Sequence, residues 1–401
     1  MLHCNNTVRP NLVGTTTVRA TESASMPSSP APRPDCPFPD QGRVALVLGG
    51  GNALGAYLAG AYERLHQAGV RPDLIVGASI GAVTGAILAG NPPERRLERL
   101  EEFWAGAAVH TFGTPVPAGL RGRQAYNGAH AALAAALGRP AIFGHRYPGL
   151  LSVLPGMPGD VALYDHAPLR RTLERLVDFD RLNRAEVRFV LACTDLETGG
   201  DAYFDNARHT IGPEHVLASA AIAPLFPPVE IDGRLLGDPG YANNLPLDPV
   251  FDPSPEEDIV CIAVDLFGLR SPRPRSLDAA VERAQDIVFA SGGRRRVEGL
   301  RREYGLLERF EPAGPRVRLV HLAYQAADHE LAAKTLDYSP SSLRDRWAAG
   351  RRDMAAGLAM LKGAGADGPR FEYLAVDPGE PGAAAEAGAA AGSGPALARA
   401  A

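Results

Sequence analysis

Three short stretches of this chain carry residue types whose spacing could do chemistry. The first is Gly77-Ala78-Ser79-Ile80-Gly81, with the apolar run Asp73-Leu-Ile-Val76 before it and small, helix-forming residues after it. A serine between glycines at a sharp strand-to-helix turn has its hydroxyl thrown out above a sheet. The following helix N-terminus then favours negative charge beside it. That is the setting of a nucleophilic serine. With 44 glycines in the chain, the five-residue pattern arises by chance about 0.2 times, so its context matters more than its letters. The competing reading is a tight turn whose serine caps the helix.

The second stretch is Gly49-Gly50-Gly51-Asn52-Ala53-Leu54-Gly55, which joins the run Arg43–Leu48 to a helical pattern at Leu54, Leu58, Ala61 and Leu65. A dinucleotide loop needs G-x-G-x-x-G and an acid about twenty residues later. Neither frame fits: from Gly49 the sixth residue is Leu54, and from Gly50 the third is Asn52. An oxyanion hole is the better reading. Successive backbone N–H groups at such a turn stabilise a developing alkoxide by roughly 3–4 kcal/mol per donor. Two adjacent parallel strands would bring this turn beside Ser79. A glycine-rich turn with no ligand is the remaining alternative.

A serine nucleophile also needs a base. The only lysines are Lys334 and Lys362, late in the chain and away from these turns, which argues against a Ser–Lys dyad. A Ser–Asp–His triad would use His321, at the end of an apolar run, or His329. The third stretch, Leu235-Leu236-Gly237-Asp238-Pro239-Gly240, places an aspartate just after a short strand. It could accept the Ser79 proton directly, or it is simply a turn aspartate.

The elements that would position these residues are legible as strand–turn–helix repeated twice before residue 90, the pattern of a parallel α/β sheet. Further strands are expected at Val187–Ala192, Val229–Ile231, Leu235–Leu236, Ile259–Val264 and Val317–Leu322, with Asp232-Gly233 as a hairpin turn. Helices are expected near 94–105, 167–177, 213–220, 275–308 and 341–362. The stretch 106–160, rich in Gly, Pro and Ala, reads either as an insertion over a site or as a surface excursion.

Composition bounds these readings. The chain has 401 residues with 45% apolar content and a net charge of −5, enough to bury a large core and with no global basic field to hold nucleic acid. Four scattered cysteines form no CxxC pair, so neither a disulfide framework nor a zinc site is expected, and a reducing compartment is the default. There is no 18-residue apolar run and no secretory leader pattern. Residues 1–42 hold too little large apolar residue to offset their ordering entropy and are expected to be disordered. The expected organisation is then a catalytic domain over 43–270, an extension over 271–365 and a low-complexity tail over 366–401.

Taken together, the chain resembles the patatin-like phospholipases. The resemblance rests on the loop Gly50–Gly55, the elbow 77–81 and the block Asp238-Pro239-Gly240. It is supported by Ala218–Pro228 before that aspartate, Asn244-Leu-Pro246 after it, Tyr164-Asp165 and Pro168-Leu169. The segment from Asp337-Tyr-Ser339 through Arg346-Trp347 and Gly350 is similar to a C-terminal extension of a bacterial branch.

The resemblance implies a three-layer α/β/α fold with a mainly parallel sheet, and hydrolysis of lipid acyl esters through an acyl-enzyme. It implies Ser79 as nucleophile, Asp238 as base, and an oxyanion hole of Gly50, Gly51 and Asn52 backbone N–H groups. It implies no cofactor and no metal. The partners expected are a lipid or other acyl-ester substrate and peripheral contact with a membrane, from a cytoplasmic location. Two positions depart from the family pattern. Asn52 stands where a third loop glycine is usual, though asparagine tolerates left-handed geometry well. Pro239 follows the aspartate and has no N–H to give. If the site needs that N–H, the alternative is a catalytically impaired protein that binds lipid or a partner on the same fold. Arg294–Arg296 and Arg301-Arg302 could touch anionic headgroups or form a solvated face.

Overall fold

The computed structural model describes residues 42–109, 115–268, 270–363 and 368–376. The expected disordered segment therefore lies outside the described residues, apart from its last position. In chain order the strands are β1 Arg43–Leu48, β2 Leu74–Ala78, β3 Gly144–His145, β4 Tyr164–Asp165, β5 Arg188–Asp195, β6 Asp201–Asp205, β7 Val229–Ile231, β8 Arg234–Gly237, β9 Ile259–Asp265, β10 Val317–Ala323 and β11 Phe371–Val376. The helices are α1 Ala56–Gln67, α2 Ile80–Ala89, α3 Pro93–Ala107, α4 Leu120–Leu137, α5 Ala167–Leu176, α6 Phe179–Asn183, α7 Pro213–Ser219, α8 Gly240–Asn243, α9 Asp248–Phe251, α10 Leu277–Phe310 and α11 Pro340–Gly363.

Nine strands form one sheet in the order β11-β10-β9-β1-β2-β5-β8-β7, with β6 also on β5. The run from β11 to β5 is parallel, while β6, β7 and β8 pair antiparallel. The central strands read as unbroken apolar runs because both their faces are covered. Along β1, Val44, Leu46 and Leu48 join one core, and Ala45 and Val47 the other. The first core is shared with α1, α2, α3, α5, α7 and α11, and the second with α9 and the C-terminal half of α10. This is a three-layer α/β/α arrangement. Helix α2 is buried at every position, which its sequence permits: it is apolar or glycine but for Thr84, whose hydroxyl donates to the Ile80 carbonyl at 2.8 Å.

Each expected strand and helix is present, and β7 and β8 meet at an Asp232-Gly233 turn with both residues at positive φ. Two boundaries differ from expectation. Residue 270 divides nothing structurally, because β10 and β11 continue the same sheet. The extension is also packed onto the first repeat: a Cβ on Gly60 of α1 would stand 1.9 Å from the Trp347 carbonyl oxygen, and one on Gly350 of α11 would stand 2.0 Å from that of Tyr57. Such backbone contact admits only glycine at the crossing. The low-complexity tail does not begin at 366, since Phe371–Val376 forms the edge strand β11. Residues 377–401 lie outside the described part. In the stretch 106–160, α4 is a regular helix that lies against the short turn Ala332–Leu336, and β3 with β4 closes a hairpin.

Candidate active site

The site forms at the carboxyl ends of β1, β2, β5 and β9, where open α/β sheets present their crevice. Pairing of β1 with β2 sets Leu48 opposite Gly77, so the glycine loop and the serine turn leave the sheet side by side. Close approach dictates the glycines there. A Cβ on Gly81 would stand 2.1 Å from the Leu48 carbonyl oxygen, and one on Gly77 would stand 2.5 Å from that of Gly81.

Ser79 itself sits at φ 55°, ψ −124°, a strained backbone for a residue with a side chain. Its hydroxyl makes no capping hydrogen bond to α2, so the helix-cap reading does not hold. The strained turn is held from behind. The Ser79 N–H donates to Ser219 Oγ at 3.1 Å, and that hydroxyl donates to the Ala192 carbonyl at 2.6 Å. Ser219 is fully buried. Ser219 lies in the segment Ala218–Pro228, where no local sequence pattern marks this role.

Asp238 is delivered by β8, which pairs with β5 through Thr194↔Gly237. It is buried, its N–H donates to Ala221, and its Oδ1 accepts the Gly240 N–H at 2.7 Å. The N–H that holds the carboxylate therefore comes from two residues downstream, and Pro239 removes nothing from the site. Proline at φ −77° caps the short α8 instead. Burial pushes the Asp238 carboxyl from its ordinary 3.8 up to about 7, while the Ser79 hydroxyl and the Gly240 N–H pull it back. Ser79 is thus close enough to favour the charged carboxylate. Oδ2 nevertheless has no hydrogen-bond partner among the described residues.

The glycine loop passes directly over the serine: a Cβ on Gly50 would stand 2.9 Å from Ser79 Cβ. The Gly50 N–H is already engaged, donating to the Asn244 carbonyl at 3.2 Å, and Asn244 Nδ2 donates back to the Gly50 carbonyl at 3.1 Å. Gly51 and Asn52 remain as the loop residues that line the cavity. Asn52 adopts φ 53°, the left-handed geometry foreseen for it. Its side chain does more than tolerate that geometry, because Oδ1 accepts a hydrogen bond from the buried Tyr338 hydroxyl. Arg346, fully buried and paired with Glu330, donates to the Ala53 carbonyl next door at 3.2 Å. Both braces come from the C-terminal part of the chain.

Ser79, Asp238, Gly51 and Asn52 share a cavity of about 430 Å³. Its wall is apolar, with Ile142, Leu225, Phe226, Phe267, Val288 and Phe289 among its residues. His166 is also there and was not singled out from sequence. It stacks on Phe226 with centroids 4.1 Å apart, and burial pushes its imidazole down to about 4, so it is neutral at pH 7.

The other base candidates lie elsewhere. His321 points to the opposite face of the sheet and its Nδ1 bonds the Tyr373 hydroxyl at 2.8 Å. His329 faces Asp345. Lys334 is closer than its place in the sequence suggests, since its neighbour Thr335 lines the cavity. Its ammonium is held at 2.9 Å by Glu282 and 2.8 Å by Asp286. Asp232 occupies the exposed hairpin turn. Of the arginine cluster, Arg296 is tied to Asp248, Asp252 and Glu303, and Arg301 lies over the Tyr373 ring. Among the described residues no group of acids, histidines and cysteines is arranged to hold a metal ion, and no helix is long and apolar enough to cross a membrane.

The family model described as patatin-like phospholipase matches residues 46–251, from β1 to the end of α9. The chain belongs to the patatin-like phospholipase family. A second model, described as patatin phospholipase, matches 303–363 and thus contains Tyr338 and Arg346. Patatin-like relatives include the human patatin-like phospholipase domain-containing protein 6, 24% identical over 209 residues, which are 51% of this chain and 12% of that protein. An uncharacterized NTE family protein of Mycobacterium tuberculosis, Rv1063c, is 27% identical over 241 residues, covering 60% of this chain and 53% of the relative. The chain thus spans between about an eighth and a half of the length of these relatives. Among solved structures, VipD of Legionella pneumophila aligns over 79% of this chain and 67% of its own, at 14% identity and TM-score 0.38. The type III effector ExoU aligns over 83% of this chain and 54% of its own, at 16% identity and TM-score 0.32.

Proposed function

We propose that this patatin-like protein hydrolyses acyl esters of lipids through a Ser79–Asp238 dyad. The observation that carries the reading is the pairing, in one apolar cavity, of a strained and uncapped serine with a buried aspartate whose carboxyl is raised to about 7. A base is most effective when its pKa lies near the working pH, and a cavity of about 430 Å³ walled by aliphatic and aromatic side chains suits an acyl chain.

Ser79 Oγ attacks the ester carbonyl while its proton passes to Asp238. The carbonyl oxygen becomes an alkoxide facing the N–H groups of Gly51 and Asn52. Collapse of this intermediate breaks the bond to the alcohol, which takes the proton from Asp238 and leaves. Water then enters, gives a proton to Asp238 and attacks the acyl-serine. Collapse of the second intermediate frees the acid and returns the proton to Ser79 Oγ. The Asn244 pairing keeps the Gly50 N–H out of this count. The aspartate works without a histidine because the fold holds its carboxylate beside the serine and away from bulk water.

The test is turnover of a phospholipid and of a soluble acyl ester by the wild type and by Ser79→Ala. Turnover by the wild type that is lost in the variant supports the reading. Chain or liposome binding that is unchanged in Ser79→Ala, with no turnover by either protein, would instead mark a binding protein on this fold.

A further inference from the structure

The cavity opens against the N-terminal half of α10. Val281 and Val288 line it and are also 44% and 45% exposed, so they stand at its mouth. Tyr241, stacked on Phe289 and 59% exposed, stands there too. One turn before Val281 on the same helix is Leu277, 83% exposed. Helical spacing of four and seven residues puts Leu277, Val281 and Val288 in one stripe, an apolar face that continues the cavity wall outward into solvent.

Charge lies directly beside this face. The segment Arg270-Ser-Pro-Arg273-Pro-Arg275-Ser276 links cavity residue Phe267 to α10 and is exposed throughout. Its exposed Arg273 and Arg275 are cationic and it carries no acid, in a chain whose net charge is −5. Pro272 and Pro274 favour an extended backbone, and Arg273 and Arg275 on it are exposed. Asp278 accepts the Ala332 N–H, and Glu282 and Asp286 hold Lys334. A cationic strap bordering an apolar stripe at the mouth of an apolar cavity is complementary to one surface in particular, a bilayer with anionic headgroups over acyl chains.

We propose that the strap Arg270–Ser276 and the stripe Leu277, Val281 and Val288 dock this protein on an anionic lipid bilayer, with the cavity mouth facing the acyl chains. The proposal deepens the lipid-hydrolase reading and rests on it for its purpose, but not for its test. Arginines at a membrane surface each strengthen binding by about fivefold, and salt screens this term. Leu277 adds a non-ionic anchor.

The test uses the full chain carrying Ser79→Ala, so that no hydrolysis alters the vesicles. It measures cosedimentation with vesicles of phosphatidylcholine alone and with one third phosphatidylglycerol. Binding should be confined largely to the anionic vesicles and should weaken with salt. Arg273→Glu with Arg275→Glu should reduce it at least about tenfold, and Leu277→Asp should reduce it separately. In an otherwise wild-type chain the double arginine variant should still turn over a soluble short-chain ester, which shows an intact site. Absent binding, equal binding to both vesicle types, or binding untouched by these substitutions would overturn the proposal. So would a self-association dispersed by Leu277→Asp in a protein that ignores vesicles, which would assign the face to a second copy of the chain. If soluble-ester turnover is absent in the wild type while anionic vesicles are still bound, the hydrolase reading fails and the docking surface stands.

Discussion

The Tyr338 hydroxyl donates to Asn52 Oδ1, joining the turn before α11 to the loop that faces the serine across 286 residues of sequence. Burial pushes the Tyr338 phenol up, so it remains a donor at any working pH. The bond ties down the one loop residue that is both non-glycine and left-handed, and in the proposed mechanism its N–H is one of the two oxyanion donors. Tyr338→Phe should therefore lower kcat about tenfold with little change in KM, since the lost interaction matters most where charge develops. Asn52→Gly should keep the backbone geometry and lose only the brace. A double-mutant cycle checks this: Tyr338→Phe should have little further effect in the Asn52→Gly chain.

The carboxyl of Asp238, raised to about 7 by burial, sets the pH dependence. The base must be charged to accept a proton, so kcat/KM should rise through a single ionisation near pH 7 and fall about tenfold per pH unit below it. The stability has the opposite sign. Because the folded-state value exceeds the unfolded one, the native protein holds this proton more tightly, and stability declines as pH climbs from about 4 to 7. Asp238→Asn removes the buried charge and keeps an acceptor for the Gly240 N–H. It should abolish ester turnover while raising the melting temperature at pH 8, by an amount that shrinks towards pH 4. Asp232→Asn, in the exposed turn, should change neither.

The neighbours of Asp238 differ sharply in importance. The Gly240 N–H holds Oδ1, and a Cβ on Gly240 would stand 2.9 Å from that oxygen. Gly240→Ala should lower turnover at least about tenfold. Pro239→Gly, which alters a residue that makes no bond to the carboxylate, should stay within about threefold of wild type in the same steady-state assay.

Local signals carried much of this account, and distant ones did not. The glycine loop, the serine turn and the Asp232-Gly233 hairpin are written in consecutive residues, because tight turns demand particular residue types. The Asn52 geometry was legible for the same reason. By contrast, the Gly50–Asn244 pairing spans 194 residues, and the Ser79–Ser219 bond spans 140. No spacing rule announces such contacts, so neither the Gly50–Asn244 pairing nor the place of Ser219 behind Ser79 is legible in consecutive residues. β11 escaped notice because it borders an alanine- and glycine-rich tail and gains its stability by pairing with β10.

Ser219 offers a test of the support behind the nucleophile. Ser219→Ala removes the partner of the half-buried Ser79 N–H and a donor to the Ala192 carbonyl, at a cost of about 1–3 kcal/mol. The strained turn should relax, with kcat falling about tenfold or more and a melting temperature several degrees lower. Ser219→Thr, which keeps the hydroxyl, should recover part of the rate if the pocket admits the methyl.

In the proposed mechanism Ser79 is a nucleophile activated by its surroundings. The direct measurement is treatment of the folded protein with a fluorophosphonate, followed by peptide mass spectrometry. One adduct per chain is expected on Ser79, formed far more slowly in Asp238→Asn and absent in Ser79→Ala. Folded wild-type protein with no adduct on Ser79, or with ester turnover that survives Ser79→Ala, would contradict it.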